Sequence, residues 1–377
     1  MSDLLVVSHT PVLRSGRAMR TYTIARALAG ASPDQRGLDL LYVHFEADEP
    51  DAAFRSIPGV RMHAVVSSRG PARLLTYTRA RLAGLPLTVA RALSPELARA
   101  AERLAATPGR GRVIADGPIV AQTLARLSRR RAVIYNAHNF ESGFRAELDL
   151  PGSGTPQANR SFERGLLARA SESWMVSEPD IAAARELCPS ARFRCVPNAV
   201  DVAAIEPVSA APDQRRALFV ANFSYLPNQT GLRFLLQDVF PRIWSELPDA
   251  RVTLVGAGLE QAPSDDPRVQ ALGFVEDLRA CYASASCAVV PLIHGGGTPL
   301  KFIEALAYGL PVIATPRAAA GLEVVDREHC LIADGAEAFA GALVQVLRDG
   351  APELARRGRE LAERRYSIEA LRAAIAS

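Results

Sequence analysis

With 377 residues, the chain is too long for one ordinary hydrophobic core, and its length predicts two domains. Hydrophobic residues make up 49% of the sequence and charged residues 22%, which excludes an intrinsically disordered chain. The net charge of +4 conceals an asymmetry, because residues 1–200 carry +9 and residues 201–377 carry −5. The N-terminal half is therefore expected to meet any anionic partner, such as an anionic acceptor or a membrane surface.

The arginines of the N-terminal half fall into three clusters. The clusters are Arg14, Arg17 and Arg20; Arg69, Arg73, Arg79 and Arg81; and Arg129, Arg130 and Arg131. The alternative is that arginines on helix faces only keep the protein soluble.

Targeting and metal signals are not found in the sequence. No apolar run approaches the ~18 residues that span a bilayer, and the N-terminus enters a strand without the basic region of a signal peptide. The five cysteines are scattered without a C-x-x-C pair, which is typical of reduced thiols. The six histidines form no spaced cluster, so no metal site is expected. We expect a cytoplasmic protein, with peripheral attachment to the inner membrane face as an open alternative.

Short apolar runs alternate with amphipathic stretches in both halves, which is typical of parallel sheets covered by helices. In the first half the predicted strands cover 4–8, 38–44, 61–66, 112–115, 132–137, 174–177 and 193–196, and the predicted helices cover 16–29, 94–106, 118–129 and 159–170. In the second half the predicted strands cover 217–221, 251–255, 269–272, 287–292, 311–314 and 329–332, and the predicted helices cover 230–247, 277–284, 299–308, 336–348 and 352–366.

This alternation predicts an α/β protein of two doubly wound parallel-sheet domains. The proline-containing stretch 202–214 is the predicted linker. The predicted domains are 1–204 and 205–355, followed by a C-terminal helix, 356–377, that packs back toward the first domain. A ligand is expected in a cleft that faces the carboxyl ends of both sheets.

The only lysine of the chain, Lys301, follows a run of three glycines, Gly295–Gly297. The run comes after a predicted strand, and Thr298 and Pro299 are the expected N-cap and first residue of a helix that ends at Gly309. A strand, a glycine loop and a helix N-terminus with a cation in its first turn are typical of a phosphate site. The alternative is a solvated lysine on an ordinary loop.

The stretch from Gly295 to Thr315 resembles the signature of the retaining GT-B glycosyltransferases of the "group 1" class, family 4. The resemblance extends over most of the chain through Val196–Asp201, Leu254–Gly258 and Gly273–Val275, in the family's order and spacing. It implies two Rossmann-like domains and a nucleotide sugar, UDP- or GDP-linked, that is bound mainly by the C-terminal domain. It also implies that the sugar moves to an acceptor hydroxyl with retention of configuration, without a metal ion or other cofactor.

The resemblance also implies the site residues. In the family, the glutamate that matches Glu304 accepts hydrogen bonds from the ribose, while the amides of the glycine loop and Lys301 hold the diphosphate. His138 is expected near the sugar of the donor and completes the predicted catalytic set; the alternative is a structural histidine. The predicted residues that bind the sugar donor are Gly16, Arg17, Phe274, Val275, Gly295, Gly296, Gly297, Thr298, Pro299, Leu300, Lys301 and Glu304.

The residues themselves support part of this assignment. Glu304 lies one helical turn after Lys301, so both side chains are expected on one helix face. The helix is apolar, and a buried carboxylate without a partner is costly, so a ligand partner is expected for Glu304. For Gly16 and Arg17 the alternative is a plain helix start, and Arg20 is a further expected charge for the phosphates.

Three positions depart from the family pattern. Gly296 stands where many members have a second glutamate, and Asn222 and Asn228 stand where many have an arginine and a lysine. Lys301 is then expected to be the main cation on the diphosphate. Further possible contacts with the diphosphate or the acceptor are Asn222, Asn228, Asn139 and Glu141, with Gly117 at another predicted strand end.

Two other functions remain open at the level of the sequence. The first is a catalytically degenerate nucleotide-binding subunit or scaffold. The second is a nucleotide-sugar 2-epimerase, which His138 and Gly296 support poorly, since such enzymes need acid and base groups near the sugar. A dehydrogenase is excluded because the Gly256–Gly258 turn lacks a third glycine at the proper distance. The expected partners are the nucleotide sugar and a carbohydrate, lipid-linked or small-molecule acceptor, and not nucleic acid.

Overall fold

The computed structural model describes residues 2–13, 15–30, 37–44, 48–67, 70–140, 142–143, 155–211, 214–259 and 263–376. The chain divides into two compact units, Met1–Asn198 with Leu371–Ser377, and Ala199–Ala370. Each unit contains one parallel sheet covered by helices, so the predicted α/β fold is confirmed. No helix in the described part of the chain is both long and apolar enough to cross a membrane.

The first unit contains a seven-stranded sheet with the order β3-β2-β1-β4-β5-β6-β7. Its strands are β1 (Ser2–Val7), β2 (Leu38–His44), β3 (Val60–Val66), β4 (Arg110–Asp116), β5 (Ile134–Asn136), β6 (Glu172–Met175) and β7 (Phe193–Cys195). The order of the strands reverses between β1 and β4, which are neighbours in the sheet. Open α/β sheets bind ligands at such a switch point, outside the carboxyl ends of the strands.

The helices of the first unit cover the sheet. They are Gly16–Ala29, Ala52–Arg55, Pro71–Leu82, Leu87–Ala92, Pro95–Ala105, the 3₁₀ turn Pro118–Val120, Ala121–Leu127, Pro156–Arg169 and Glu178–Leu187. The predicted helix 16–29 has the observed bounds, and its N-cap Ser15 accepts a hydrogen bond from the amide of Ala18 at 3.3 Å. The helix Pro71–Leu82 was not predicted because its apolar residues do not cover a core, and only Ala80 is buried.

The second unit contains a six-stranded sheet with the order β10-β9-β8-β11-β12-β13. Its strands are β8 (Arg216–Val220), β9 (Arg251–Val255), β10 (Val269–Ala271), β11 (Cys287–Val290), β12 (Val312–Ala314) and β13 (Leu331–Ile332). Its helices are Leu226–Arg233, Phe240–Glu246, Arg279–Ala283, Leu300–Tyr308, Pro316–Ala319, Gly335–Asp349 and Pro352–Arg365, with a π-helical segment, Phe234–Val239, and the start of Ile368–Ala376. The switch point of this sheet lies between β8 and β11.

Apolar clusters cover both faces of the second sheet, which explains why its strands are continuous apolar runs. Phe302 and Leu306 belong to one cluster, and Phe219, Phe240 and Phe339 belong to the other. In the first unit, an apolar cluster that includes Leu4, Val6 and Val113 packs beneath the helices on one face of the sheet. The functional loops are therefore held by strands whose side chains are fully packed.

Two predicted helices are interrupted. The predicted helix 230–247 begins at Leu226, passes through the π-helical segment and resumes at Phe240. Pro241 follows directly, and a proline ring cannot donate the i to i−4 hydrogen bond, so the regular ladder is disrupted at this point. At the C-terminus one helix ends at Arg365 and another begins at Ile368, with Ser367 accepting a hydrogen bond from Ala370 N at 3.1 Å.

Candidate functional site

Glycines shape the loop that follows β11 in the second unit. Gly295 and Gly297 have φ angles of 131° and 68°, which glycine adopts without strain. A Cβ added to Gly295 would lie 3.8 Å from Cβ of Pro227, so this loop lies against the segment that follows β8. The helix begins at Leu300, with Pro299 at the N-cap in an extended conformation. The prediction of Thr298 as N-cap and Pro299 as first helical residue is therefore wrong by one position, because the extended ψ of Pro299 delays the first turn.

Lys301 lies in the first turn of this helix and contacts neutral groups. Its Nζ donates to Oδ1 of Asn228 at 2.5 Å and lies 5.0 Å from the centroid of the Phe219 ring. Asn228 in turn donates from Nδ2 to the carbonyl oxygen of Asn222 at 2.7 Å. Burial lowers the pKa of Lys301 to about 7, and no carboxylate among the described residues opposes this shift. The two asparagines therefore position Lys301 without neutralising it, and an anionic ligand would restore its charge.

Glu304, one turn further along the helix, contacts a pair of tyrosines. The hydroxyl of Tyr282 donates to Oε2 of Glu304 at 3.3 Å, and the Tyr282 ring stacks on Tyr308 with centroids 4.1 Å apart. Burial raises the pKa of Glu304 to about 7, against the opposing effect of the Tyr282 hydrogen bond. One hydrogen bond leaves the carboxylate with spare acceptor capacity for a ligand hydroxyl. Neither tyrosine was predicted from the sequence, although Tyr308 lies four residues after Glu304.

The turn after β9 joins this surface. The amide of Gly256 donates to the carbonyl of Gly273 at 2.7 Å, which places the Gly273–Val275 segment beside the turn. A Cβ on Gly258 would lie 2.5 Å from the Ser224 amide, so the same turn packs on the loop after β8. Of the two predicted contacts in this segment, Phe274 is 67% exposed, whereas Val275 packs against the core. The structure thus brings the loops after β8, β9, β10 and β11 together at one edge of the second sheet.

The first unit has its own polar cluster, centred on the buried Asp116 at the end of β4. Asp116 accepts hydrogen bonds from Oγ1 of Thr21 and Nδ2 of Asn136, both at 2.6 Å, and its Oδ1 lies 3.1 Å from Nε2 of His138. Burial alone would raise the pKa of Asp116. The His138 charge and the three hydrogen bonds outweigh burial and hold that pKa well below its usual range. Because an ionised carboxylate only accepts, Nε2 of His138 carries the hydrogen.

The other ring nitrogen of His138, Nδ1, is buried and has no partner among the described residues. Gly117 shapes the position of the ring. Its φ is 76°, and an added Cβ would lie 2.8 Å from Cε1 of His138. Gly117, a further candidate in the sequence, is therefore the residue that allows His138 to approach Asp116.

His9 is a further candidate site residue, which was not predicted from the sequence. It follows β1 at the switch point, and neither ring nitrogen has a partner in the described part of the chain. Burial, with the charges of Arg17 and His138, lowers the pKa of His9 to about 4, although Asp116 acts in the opposite direction. Oδ1 of Asn139 is likewise buried and unpaired among the described residues. The sequence signal that could have identified His9 is its position just after a strand, since Asp116 lies at the end of the neighbouring strand.

Arg20 has a different role from the one expected of it. The residue is 2% exposed, and its guanidinium donates to Oδ1 of Asn136 at 2.7 Å, to Oδ1 of Asn198 at 3.1 Å and to the carbonyl of Pro197 at 3.2 Å. These bonds are directed into the first unit and not toward a phosphate. Arg20 therefore fixes Pro197 and Asn198 to the strand end of β5.

The remaining predicted residues lie at the start of a helix or outside the described residues. Gly16 and Arg17 form the exposed start of the helix Gly16–Ala29, and Ser15 caps it, as the plain helix-start interpretation expects. Glu141 lies outside the described residues, as do Arg14 and Arg69. Within the described ranges, no group of three or more histidine, cysteine, aspartate or glutamate side chains is arranged to hold a metal ion.

Residues 214–349 match the family described as glycosyl transferases group 1. The matched range includes Lys301, Glu304 and Tyr282 and the loops that surround them. This part of the chain therefore matches a group 1 glycosyltransferase domain. No curated protein sequence matches the chain.

Solved structures resemble the whole chain at low sequence identity. Sucrose-phosphate synthase from Thermosynechococcus elongatus has a TM-score of 0.76 and 17% identity, covering 100% of this chain and 98% of that chain. Anabaena HepE in complex with UDP-glucose has a TM-score of 0.69 and 14% identity, with coverages of 100% and 98%. A variant of S. aureus TarM in complex with fondaparinux, alpha-GlcNAc-glycerol and UDP has a TM-score of 0.71 and 9% identity, with coverages of 100% and 99%. The fold is GT-B, and with the family match it supports a glycosyltransferase enzyme.

Proposed function

We propose that this chain moves a sugar from a nucleotide-sugar donor to an acceptor hydroxyl, with retention of anomeric configuration and without a metal ion. The family match over residues 214–349 and the GT-B fold support glycosyl transfer. One observation carries the proposal. Lys301 and Glu304 lie one turn apart at the start of a helix, both desolvated, and each contacts only a neutral side chain among the described residues.

In this proposal the second unit binds the nucleotide. Lys301 and the backbone amides of the glycine loop and first helical turn hold the diphosphate, where a helix N-terminus favours negative charge. Glu304 accepts hydrogen bonds from the ribose hydroxyls, with Tyr282 fixing its orientation. HepE and TarM, which share the fold, are known in complexes with UDP-glucose and UDP, and this favours a UDP-linked donor.

The first unit supplies groups that suit sugar hydroxyls. Asp116 holds the His138 ring through Nε2 and leaves the buried Nδ1 without a partner among the described residues, and the low pKa of His9 keeps the His9 ring neutral near pH 7. Asn139 adds an unpaired amide oxygen. Neutral groups such as His9 and Asn139 bind hydroxyls without the cost of burying another charge.

The proposed reaction needs no side-chain nucleophile. The bond between the anomeric carbon and the diphosphate oxygen breaks, and the acceptor oxygen bonds to the same face of the sugar. The acceptor proton passes to the departing diphosphate oxygen. Lys301 and the loop amides stabilise the charge that develops on the diphosphate, so catalysis is positioning with electrostatic stabilisation. The five free cysteines favour a reducing compartment, and we place the reaction in the cytoplasm.

The first experiment is a thermal-shift screen against UDP, GDP, TDP and ADP and their common sugar conjugates. A ligand at about 100 Kd stabilises the native state by about 2.7 kcal/mol. The stabilising nucleotide sugar is then incubated with acceptors, with and without EDTA, and the anomeric configuration of the product is read by NMR. An inverted product or loss of activity in EDTA would contradict retention or metal independence. A nucleotide that binds without transfer to any acceptor would favour the non-catalytic subunit.

A variant of the central cation tests the site. Lys301→Met keeps the aliphatic stem but removes the charge, so we expect transfer to fall by about 100-fold or more while the far-UV spectrum is unchanged. Arg242→Met, at an exposed position of the same unit, is the matched control and should keep full activity. Unchanged turnover in Lys301→Met would remove Lys301 from the mechanism.

A further inference from the structure

The helix Pro71–Leu82 in the first unit is almost unpartnered. Ala80 is its one buried residue, and the helix exposes 65% of Leu74, 51% of Leu75 and 84% of Leu82. Leucines scattered singly over a surface need no explanation, but three on one short helix form an apolar patch that the fold leaves uncovered. We call this element the arginine–leucine helix.

The same helix carries uncompensated positive charge. Arg73, Arg79 and Arg81 lie on it, and it contains no acidic residue. Nη2 of Arg73 donates to the carbonyl of Arg91 at 3.2 Å, and Nη1 of Arg81 donates to the carbonyl of Leu85 at 2.7 Å. These bonds orient two of the guanidinium groups without neutralising them. A helix that presents leucines and arginines and has no carboxylate of its own is complementary to a surface that is both apolar and anionic.

A groove of about 1020 Å³ runs beside the arginine–leucine helix. Its apolar lining includes Leu75, Phe162 and Leu166. Its charged lining consists of four arginines and one carboxylate, that of Glu96, which pairs with Arg99 at 3.2 Å. A groove that combines apolar side chains with an excess of arginines suits an anionic lipid, which carries both a phosphate and acyl chains. The groove therefore shares the apolar and mainly cationic character of the helix.

We propose that the arginine–leucine helix docks on the surface of an anionic lipid bilayer. The leucines enter the boundary between head groups and acyl chains, and the three arginines bind lipid phosphates. The helix is too short and too charged to cross the membrane, so the attachment is peripheral and reversible. This surface is separate from the residues assigned to sugar transfer, and the proposal stands without that function.

The test measures vesicle binding by the full-length chain without any nucleotide sugar. We expect co-sedimentation with vesicles of phosphatidylcholine and phosphatidylglycerol, and none with phosphatidylcholine alone. Raising the salt concentration should weaken the binding, because screening shortens the range of the attraction between arginine and phosphate. Absence of binding to the anionic vesicles, or equal binding to both kinds, overturns the proposal.

Two variants separate the contributions. Arg73→Gln, Arg79→Gln and Arg81→Gln together should lower the affinity about a hundredfold, since each arginine near an anionic surface contributes about fivefold. Leu74→Ser with Leu82→Ser should lower it about tenfold by removing apolar burial. The matched controls lie on exposed positions of the second unit and should bind like the wild type: Arg242→Gln, Arg348→Gln and Arg364→Gln together, and Val325→Ser.

Thermal unfolding and sedimentation distinguish lipid docking from loss of the fold and from dimerisation. Thermal unfolding of each variant shows whether the fold is retained, and a retained fold with unchanged vesicle affinity in both helix variants overturns the proposal. Sedimentation of the free protein tests for a second copy on the same surface. A dimer that Leu74→Ser with Leu82→Ser dissociates would identify that copy as the occupant and would also overturn lipid docking. Because sugar transfer is measured separately with soluble nucleotide sugars, its failure and the failure of lipid docking are distinguishable.

Discussion

Opposite charges three residues apart on a helix often form an ion pair, but Lys301 and Glu304 contact neutral partners instead. Asn228 accepts from the lysine, and Tyr282 donates to the glutamate. Each charge is thus partly desolvated without the Coulombic gain of a pair. This arrangement lowers the stability of the unliganded protein and keeps both groups available for a ligand, which is a frequent compromise at functional sites.

Glu304→Gln should change how stability depends on pH. Burial raises the pKa of Glu304 from 4.5 to about 7, so the folded state holds this proton more tightly than the unfolded state does. Its contribution to stability is complete below pH 4.5 and is lost as the pH rises through 7. Relative to Glu304→Gln, the wild type should lose on the order of 2 kcal/mol of unfolding free energy across this window.

Urea unfolding at a series of pH values measures this difference, because the other titrating groups cancel between wild type and variant. Glu337→Gln, at an exposed position of the same unit, is the control and should follow the wild type. Parallel pH profiles for the wild type and Glu304→Gln would show that burial does not perturb Glu304.

Gly117→Ala should move His138 and slow sugar transfer without unfolding the protein. The added Cβ would lie 2.8 Å from Cε1 of His138. Gly109→Ala is a matched control, because Gly109 has nearly the same φ (74° against 76°) but no atom within 4 Å of the added Cβ. Gly109→Ala should lose about 1–2 kcal/mol of stability from backbone strain. Gly117→Ala should lose about 1–3 kcal/mol, because its φ of 76° and ψ of 172° lie in a region that is essentially restricted to glycine.

Enzyme kinetics separate the two glycine variants. We expect kcat to fall about tenfold or more in Gly117→Ala and to stay near the wild-type value in Gly109→Ala, since displaced hydroxyl contacts weaken positioning. Nucleotide stabilisation should be equal in both variants. Equal kcat values in Gly117→Ala and Gly109→Ala would assign His138 a structural role.

The turn after β9 is the element that fixes the loops of the second unit to one another. Gly256 has a φ of 140°, and an added Cβ would lie 1.7 Å from the carbonyl oxygen of Ala221, at the end of β8. A backbone atom cannot move aside like a flexible side chain, so Gly256→Ala must separate the two strand ends.

Gly256→Ala should therefore cost roughly 3–5 kcal/mol of stability, at the upper end of single-substitution effects. Gly335→Ala is the control, with a positive φ of 76° and open space around the added Cβ. It should cost only about 1–2 kcal/mol from backbone strain. Chemical denaturation of both variants measures the difference, and similar losses would show that the turn tolerates a wider separation.

Elements with strong local signals were predictable from the sequence. The helix Gly16–Ala29 has a serine N-cap and a glycine after its end, and its bounds were predicted correctly. The helix Leu300–Tyr308 ends at Gly309 in the left-handed conformation, as the sequence indicated. This helix begins one residue later than predicted, because the rule that favours proline at the first helical position does not fix the ψ of that proline.

Tertiary contacts decided what the sequence could not show. The arginine–leucine helix buries almost nothing, so it has no core-facing stripe for periodicity to detect. Tyr282 joins Glu304 from another helix, 22 residues away in the chain. His9 and Asp116 meet only because β1 and β4 are neighbours in the sheet, and neighbouring strands are not known until the topology is known. Residues that lie within one sequence motif could be named from the sequence, whereas the partners that they contact from other elements could not.

At the scale of the whole molecule, both units follow one rule. In each sheet the order of the strands reverses at a pair of central strands, and the polar side chains lie just after the carboxyl ends of that pair. In the first unit these are His9 and Asp116, and in the second they are Asn222 and the Gly295–Gly297 loop. The buried strands below provide rigid support, so the loops can carry charged and unpaired groups without loss of the fold.

This common architecture leads to a prediction about where a nucleotide acts. Hydrogen exchange of the full chain, with and without the nucleotide found by thermal shift, should show protection in the loops after β8 and β11 and in the first turn of the helix Leu300–Tyr308. At about 100 Kd, amides that exchange by local opening of the binding-competent state should slow by about a hundredfold. The arginine–leucine helix should exchange at the same rate in both states, because the nucleotide does not touch it. In Lys301→Met the protection of the β11 loop should disappear at the same ligand concentration. Protection confined to the first unit would place the nucleotide at the Asp116 cluster and would contradict the assignment of Lys301 and Glu304.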